Sequence, residues 1–232
     1  MKLLSVVLLL FLVGCQNNNI FSVTPRTYGL KGDVVSFSEK SFTVNCDENW
    51  NYSVDTINSY NLLINRFFDG NSNLILIEYL YNDTIFHSKV IHEPINYTGK
   101  INSSQFDKND EVLSYTRLVS FKDSIAFVET LDKNKLITSN TWTKYVNNQM
   151  MWQKSLVLKD SLYTEWAFIR DNVGQQIKMQ IKLGFDKDKD FTNVFIKYLK
   201  FDDVGNWTER IDYEEGKLND CMVKVRRINY RE

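Results

Sequence analysis

The sequence predicts an all-β fold, an antiparallel up-and-down meander of about a dozen strands that curls into an open sheet or a barrel. Three observations predict it. Turn signals rich in Asn and Asp recur from Asp69-Gly70-Asn71 to Glu214-Glu215-Gly216, at gaps of about 11 to 16 residues. The segments between them alternate apolar and polar residues, or are apolar on both faces, and favour β-branched and aromatic types. No long window repeats apolar residues at i, i+3 and i+4, the spacing a helix would need. The composition agrees. The chain has 232 residues but only 9 Gly and 2 Pro, so Asn and Asp must build most of the turns; they tolerate positive φ and bond their own backbone. An aromatic content of 14% excludes disorder, and a net charge of −1 excludes nucleic acid as the main partner.

The first element is Met1 to Gly14. Lys2 supplies a positive charge, and Leu3 to Val13 is an apolar run too short to span a bilayer as a helix, which needs ~20 residues. A charged start before such a run is a signal peptide, assigned to residues 1–14. The run ends at Leu12-Val13-Gly14-Cys15. Residues 15–27, opening Cys15-Gln16-Asn17-Asn18-Asn19, form a polar tether, and residues 28–232 form one β-meander domain.

Within that domain Ile177 to Leu183 is the cleanest strand, with Ile177, Met179, Ile181 and Leu183 on one face and Lys178, Gln180 and Lys182 on the other. Near the C-terminus the same alternation points Trp207, Ile211 and Tyr213 one way and Thr208, Arg210 and Asp212 the other. Leu74 to Leu80 and Thr192 to Phe201 are apolar on both faces and should be covered on two sides. Asn61 to Phe68 reads equally as a short helix or a strand. Asp171-x-x-Gly174 and Asp202-x-x-Gly205 share the spacing of a type I turn closed by a left-handed glycine. Asn82-Asp83-Thr84, Lys122-Asp123-Ser124 and Lys159-Asp160-Ser161 repeat one hairpin turn.

Leu12-Val13-Gly14-Cys15 resembles the lipobox of bacterial lipoproteins. The resemblance implies cleavage before Cys15 and lipidation of its sulfur, so that the mature chain meets membrane lipid through Cys15. Gln16 in the next position implies the outer membrane rather than inner-membrane retention; which side the protein faces stays open. Tyr198 to Arg210, with Asp202-Asp203-Val204-Gly205-Asn206-Trp207-Thr208, resembles lipoproteins carrying degenerate YD-type (RHS-like) hairpin repeats. Tyr28-Gly29-Leu30-Lys31-Gly32-Asp33-Val34-Val35-Ser36 resembles the segment that opens them. That resemblance implies a meander of hairpins and no catalytic residue.

Chemical motifs are sparse. Zinc-protease, hydrolase-elbow and phosphate-loop patterns are absent from the sequence, so no enzyme activity, cofactor or metal is expected. His87 and His92, five apart, fall on opposite faces of a strand. Asp186-Lys187-Asp188-Lys189-Asp190 begins like a calcium loop, but Phe191 and Lys197 stand where Gly and Glu are needed, so it reads as a hairpin tip. Cys46 and Cys221 are candidates for a disulfide that closes a very long loop, worth roughly 4–5 kcal/mol in chain entropy; the alternative is two buried thiols. Thr56, Thr84, Ser124 and Ser161 each follow an Asp and precede an aliphatic residue. This resembles an O-glycosylation sequon of exported bacterial proteins, although turn chemistry explains most copies as well. The five Trp suit either the core or stacking platforms for a glycan.

The expected function is a lipid-anchored envelope protein that binds a partner protein or glycan. The alternative is a barrel-type carrier of a small apolar ligand. Whether Val34 to Val44 pairs with Val223 to Tyr230 separates the two, because only that pairing closes a barrel around a cavity.

Overall fold

The computed structural model describes residues 23–53, 62–82, 85–93, 99–172, 174–184 and 190–232. Cys15, Thr56, Thr84 and Asp186 lie outside them. The first element of the described residues is a short 3-10 turn, Pro25–Tyr28, with Pro at its first position and Gly29 at φ 73° ending it. β1 (Val34–Cys46) and a two-residue β2 (Tyr52–Ser53) follow. The meander then runs through β3 (Leu62–Phe68), β4 (Leu74–Tyr81), β5 (Ile85–His92), β6 (Ile101–Asp107), β7 (Val112–Lys122), β8 (Ile125–Asp132) and β9 (Ile137–Val146). It continues with β10 (Gln149–Val157), β11 (Leu162–Arg170), β12 (Gln176–Gly184), β13 (Thr192–Phe201), β14 (Trp207–Glu214) and β15 (Lys217–Tyr230).

Every strand from β3 to β15 pairs antiparallel with its sequence neighbour, and β1 bridges β3 and β15. The β1–β15 register extends from Val34–Tyr230 to Val44–Cys221. The sheet is therefore a closed barrel of 14 strands, with β2 attached as a short flap on β1. Closure satisfies the two edges that an open meander would leave unpaired. Of the segment that reads equally as helix or strand, Leu62–Phe68 forms β3; its apolar residues pack on both faces of a sheet, which a short helix would not offer them.

Six connections share one turn. In Asp47–Asn51, Asp69–Asn73, Asp107–Glu111, Asp132–Leu136, Asp171–Gln175 and Asp202–Asn206, the first residue's N–H donates to the carbonyl of the fifth. The Asp carboxylate then accepts the N–H of the fifth residue at 2.8–2.9 Å. The fourth residue is left-handed in every copy: Trp50, Ser72, Asp110, Lys135, Gly174 and Gly205. The Asp cap explains why glycine is dispensable there, since it stabilises the turn enough to offset a side chain's strain at positive φ. Asp123-Ser124 and Asn147-Asn148 instead form two-residue turns with both φ positive. Ser124 and Ser161 therefore sit in turns at φ 61° and 52°. Asp69→Ala should lower stability by about 1 kcal/mol, the scale of a lost backbone cap. A urea midpoint shifted without a change in slope would show it, and an unchanged midpoint would count against it.

Apolar residues gather at two places. Leu30, Val34, Phe37, Phe68, Leu74 and Ile77 fill the barrel end that receives the chain's N-terminal segment, with Tyr28 packed edge-on to Phe37 at 5.3 Å. Residues 23–27, read from sequence as the end of the tether, thus reach the fold: Val23 packs on this cluster and its carbonyl accepts the Leu74 N–H. The second cluster is Phe42, Val44, Cys46, Ile211, Cys221 and Val223, on the outer face of the β1–β15 seam near its opposite end, with Trp50 and Tyr52 packed against it.

Candidate functional site: the barrel lumen

The lumen follows from strand alternation. Glu39, Gln153, Trp166, Met179, Tyr198, Arg210, Lys224 and Arg226 come from β1 and from β10 to β15, yet line one cavity of about 510 Å³. Only the interior of a closed wall brings these strands together. Residues one step away along each strand face outward. Outward positions carry cross-strand polar pairs: Asn65 with Glu78 at 3.3 Å, Arg117 with Glu129 at 2.6 Å and Lys154 with Glu165 at 2.9 Å. Exposed apolar side chains, among them Ile91, Leu113 and Ile169, stand on the described surface beside these pairs.

Inside, charge is concentrated on one wall. The Arg226 Nε lies 2.8 Å from Glu39 across the seam. Asp212 takes Arg210 at 2.8 Å and Lys224 at 2.9 Å. All five side chains are largely buried. Burial alone would raise the Glu39 carboxyl, but Arg226, Lys224, Arg66 and Arg210 overcome it and hold the group well below the usual carboxylate range. Burial pulls Arg226 down to about 10; Glu39 opposes this, while repulsion from Arg210 and Arg66 adds to it. The lowering is mainly the cost of burying the guanidinium, which stays protonated at neutral pH.

Aromatic faces surround these cations. The Arg226 guanidinium lies 3.6 Å from the Trp207 ring centre and 5.2 Å from that of Phe37. Arg210 lies 4.5 Å from Trp207, and Arg66 lies 4.8 Å from Tyr28. This corrects the simple alternation that put Trp207 with Ile211. The β13–β14 register shifts at Leu199 and at Thr208, where Phe201 pairs Trp207 and Lys200 pairs Glu209. The extra residue Thr208 turns Trp207 onto the lumen side beside Arg210.

The N-terminal segment closes over one end. Asn206 is 2% exposed. Its side-chain oxygen accepts the Lys31 N–H at 2.7 Å, and its amide donates to the Lys31 carbonyl at 3.0 Å and to the Tyr230 hydroxyl at 2.6 Å. Tyr230 in turn donates to Asp202 at 2.5 Å. Gly32, at φ +82°, has Tyr230 where a Cβ would meet it at 3.1 Å. The segments Tyr28–Ser36 and Tyr198–Arg210, quoted above for one resemblance, thus meet in space. A wider recess of about 1030 Å³ surrounds this closure. Gly29, Gly174, Gln175 and Trp207 line both the recess and the inner cavity, so the recess leads toward the lumen.

The remaining sequence candidates distribute as follows. Cys46 and Cys221 are both buried in the outer cluster at the seam, with no disulfide bond between them. Burial and then the Cys221 thiol push Cys46 up to about 12. Both should titrate in denaturant without reductant, and a count below two thiols for the folded domain would contradict this. Trp166 and Trp207 line the lumen, Trp142 stacks on Phe127 at 5.1 Å, and Trp50 packs on Tyr213 at 4.5 Å. His87 packs on Tyr81 at 4.7 Å. His92 is half-buried, its Nε2 has no hydrogen-bond partner among the described residues, and loss of solvent lowers its imidazole to about 4. The unfolded chain then binds a proton below about 6.5 that the native state refuses until about 4. Stability contributed by His92 is complete above 6.5 and is lost as pH falls toward 4, by about 3 kcal/mol. His92→Gln should flatten the stability–pH curve over that window relative to wild type, and parallel curves would refute the assignment.

No protein-family model and no curated protein matches the chain. Among solved structures it is similar to a porin-like protein from Bacteroides vulgatus, at 12% identity and a TM-score of 0.41, over 87% of this chain and 99% of that one. It is also similar to a LolA superfamily protein from Nitrosomonas europaea, at 9% identity and a TM-score of 0.24, over 88% of each chain.

Proposed function

We propose that the protein is an envelope carrier, a barrel anchored by a lipid on Cys15 that holds a small ligand in its lumen. The observation that carries this reading is the closed β1–β15 seam around a cavity of about 510 Å³, a size that suits a small organic ligand. Trp166, Phe168, Met179 and Trp207 offer apolar contact inside it. The recess beside the N-terminal segment is the route in.

The neutral probe N-phenyl-1-naphthylamine tests the carrier reading. It should brighten on binding and quench tryptophan emission through Trp166 and Trp207. Met179→Trp, which fills the cavity, should weaken binding at least tenfold in a protein that still melts cooperatively. Absence of wild-type binding, or equal binding by the filled variant, would reject the carrier. Anchoring is tested separately. Wild type made in a bacterial envelope should partition into detergent and Cys15→Ala should not; equal partitioning would reject the lipid on Cys15.

A further inference from the structure

The luminal cavity is more selective than an apolar carrier requires. Its lining includes four cations, Arg170, Arg210, Lys224 and Arg226, and one carboxylate, Glu39. Asp212 is shared by Arg210 and Lys224, one negative charge for two positive, while Arg66 adds a further positive charge near Glu39. Glu39 and Asp212 therefore leave the wall with an uncompensated positive charge in an interior of low dielectric. There a net charge is costly and a counter-ion correspondingly attractive.

Donors also remain unused. Arg170 Nε and Gln176 Nε2 are buried and have no hydrogen-bond acceptor among the described residues, and both side chains line the cavity. Arg170 is held in place from its other nitrogens, which donate to the carbonyls of Gly174 at 3.1 Å and Met150 at 3.2 Å. A buried donor left unpaired costs about 1–3 kcal/mol, so an acceptor that reaches these groups would recover that cost. Trp166, Phe168 and Met179 present apolar surface to the same cavity.

We propose that the lumen binds an organic anion, with a carboxylate or phosphate head set against Lys224, Arg210, Arg226 and Arg170 and an apolar body lying on Trp166, Phe168 and Met179. This rests on the carrier reading and narrows its ligand from a small apolar molecule to an acidic amphiphile. The head offsets part of the positive charge that the protein's two carboxylates leave uncompensated. The apolar body makes the site distinct from an inorganic anion site.

The test displaces N-phenyl-1-naphthylamine from the wild-type protein with dodecanoate, dodecyl phosphate, dodecanol and dodecyltrimethylammonium. All four share one chain, and each is kept below its micelle concentration. The two anions should compete at least tenfold more tightly than dodecanol, the cation should be weakest, and inorganic phosphate should not compete. A difference between the two anions identifies which head the site prefers. Lys224→Met should bring the dodecanoate-to-dodecanol ratio toward one, and Lys224→Arg should restore it. Equal affinities for anion and alcohol would overturn the anion assignment while leaving the carrier intact. Failure of the naphthylamine probe itself to bind would overturn both.

Discussion

Asp212→Ala should cost the protein about 3–5 kcal/mol of stability, the range for breaking a buried ion pair by removing one partner. Asp212 is 4% exposed, and it holds both Arg210 and Lys224 within 2.9 Å. Without it two cations face Arg226 and Arg66 with Glu39 as the remaining nearby carboxylate. Reversible urea unfolding measures the loss. The origin of the loss is separable as well: Asp212→Ala combined with Lys224→Met should recover part of it, because the second change removes one of the stranded charges. A single-variant loss below about 1 kcal/mol would mean that the cluster is open to water and that its charges are screened. The ligand assignment would weaken with it, since both depend on a dry, positively charged wall.

Asn206→Ala should cost about 3 kcal/mol and release the N-terminal segment from the barrel end. Three hydrogen bonds end on this side chain, and each leaves a part-buried group of Lys31 or Tyr230 without it. Hydrogen exchange provides the local reading: the Lys31 amide should lose protection in the variant while the amides of β9 and β10 keep theirs. Uniform loss of protection would show that the segment and the barrel unfold as one unit, and retention at Lys31 would show that Asn206 does not hold the closure.

Much of the fold was legible along the chain because its turns are local. An Asp that caps the second and fourth following amides leaves a sequence trace, and the copies at Asp171 and Asp202 are marked by a glycine three residues on. The copies at Asp47, Asp69, Asp107 and Asp132 were harder to see as one motif, because Trp50, Ser72, Asp110 and Lys135 take the left-handed position in place of glycine. The signal to use is the Asp and its two accepting bonds rather than the glycine.

The site was much less legible. Arg210 and Asp212 were correctly placed on one face, but nothing in a strand's alternation says whether a face is luminal when both faces carry apolar residues. Trp207 was placed on the wrong side because one extra residue at Thr208 reverses the alternation, and a bulge has no fixed sequence mark. Glu39 and Arg226 carry no sequence signal of their partnership, lying 187 residues apart until the seam pairs them.

The sequence by itself determined an all-β meander, its turn chemistry and the candidate lipid anchor, because each depends on residues close together in the chain. The closing of the meander, and the convergence of Arg210, Lys224 and Arg226 with Glu39 and Asp212 around a cavity, came from the three-dimensional arrangement alone. Closure depends on β1 meeting β15, and a contact between the two ends of the domain leaves no periodic trace in the chain. Once that seam forms, strand alternation divides the strand residues between an outer wall and a lumen, and the charges on the luminal side become a site.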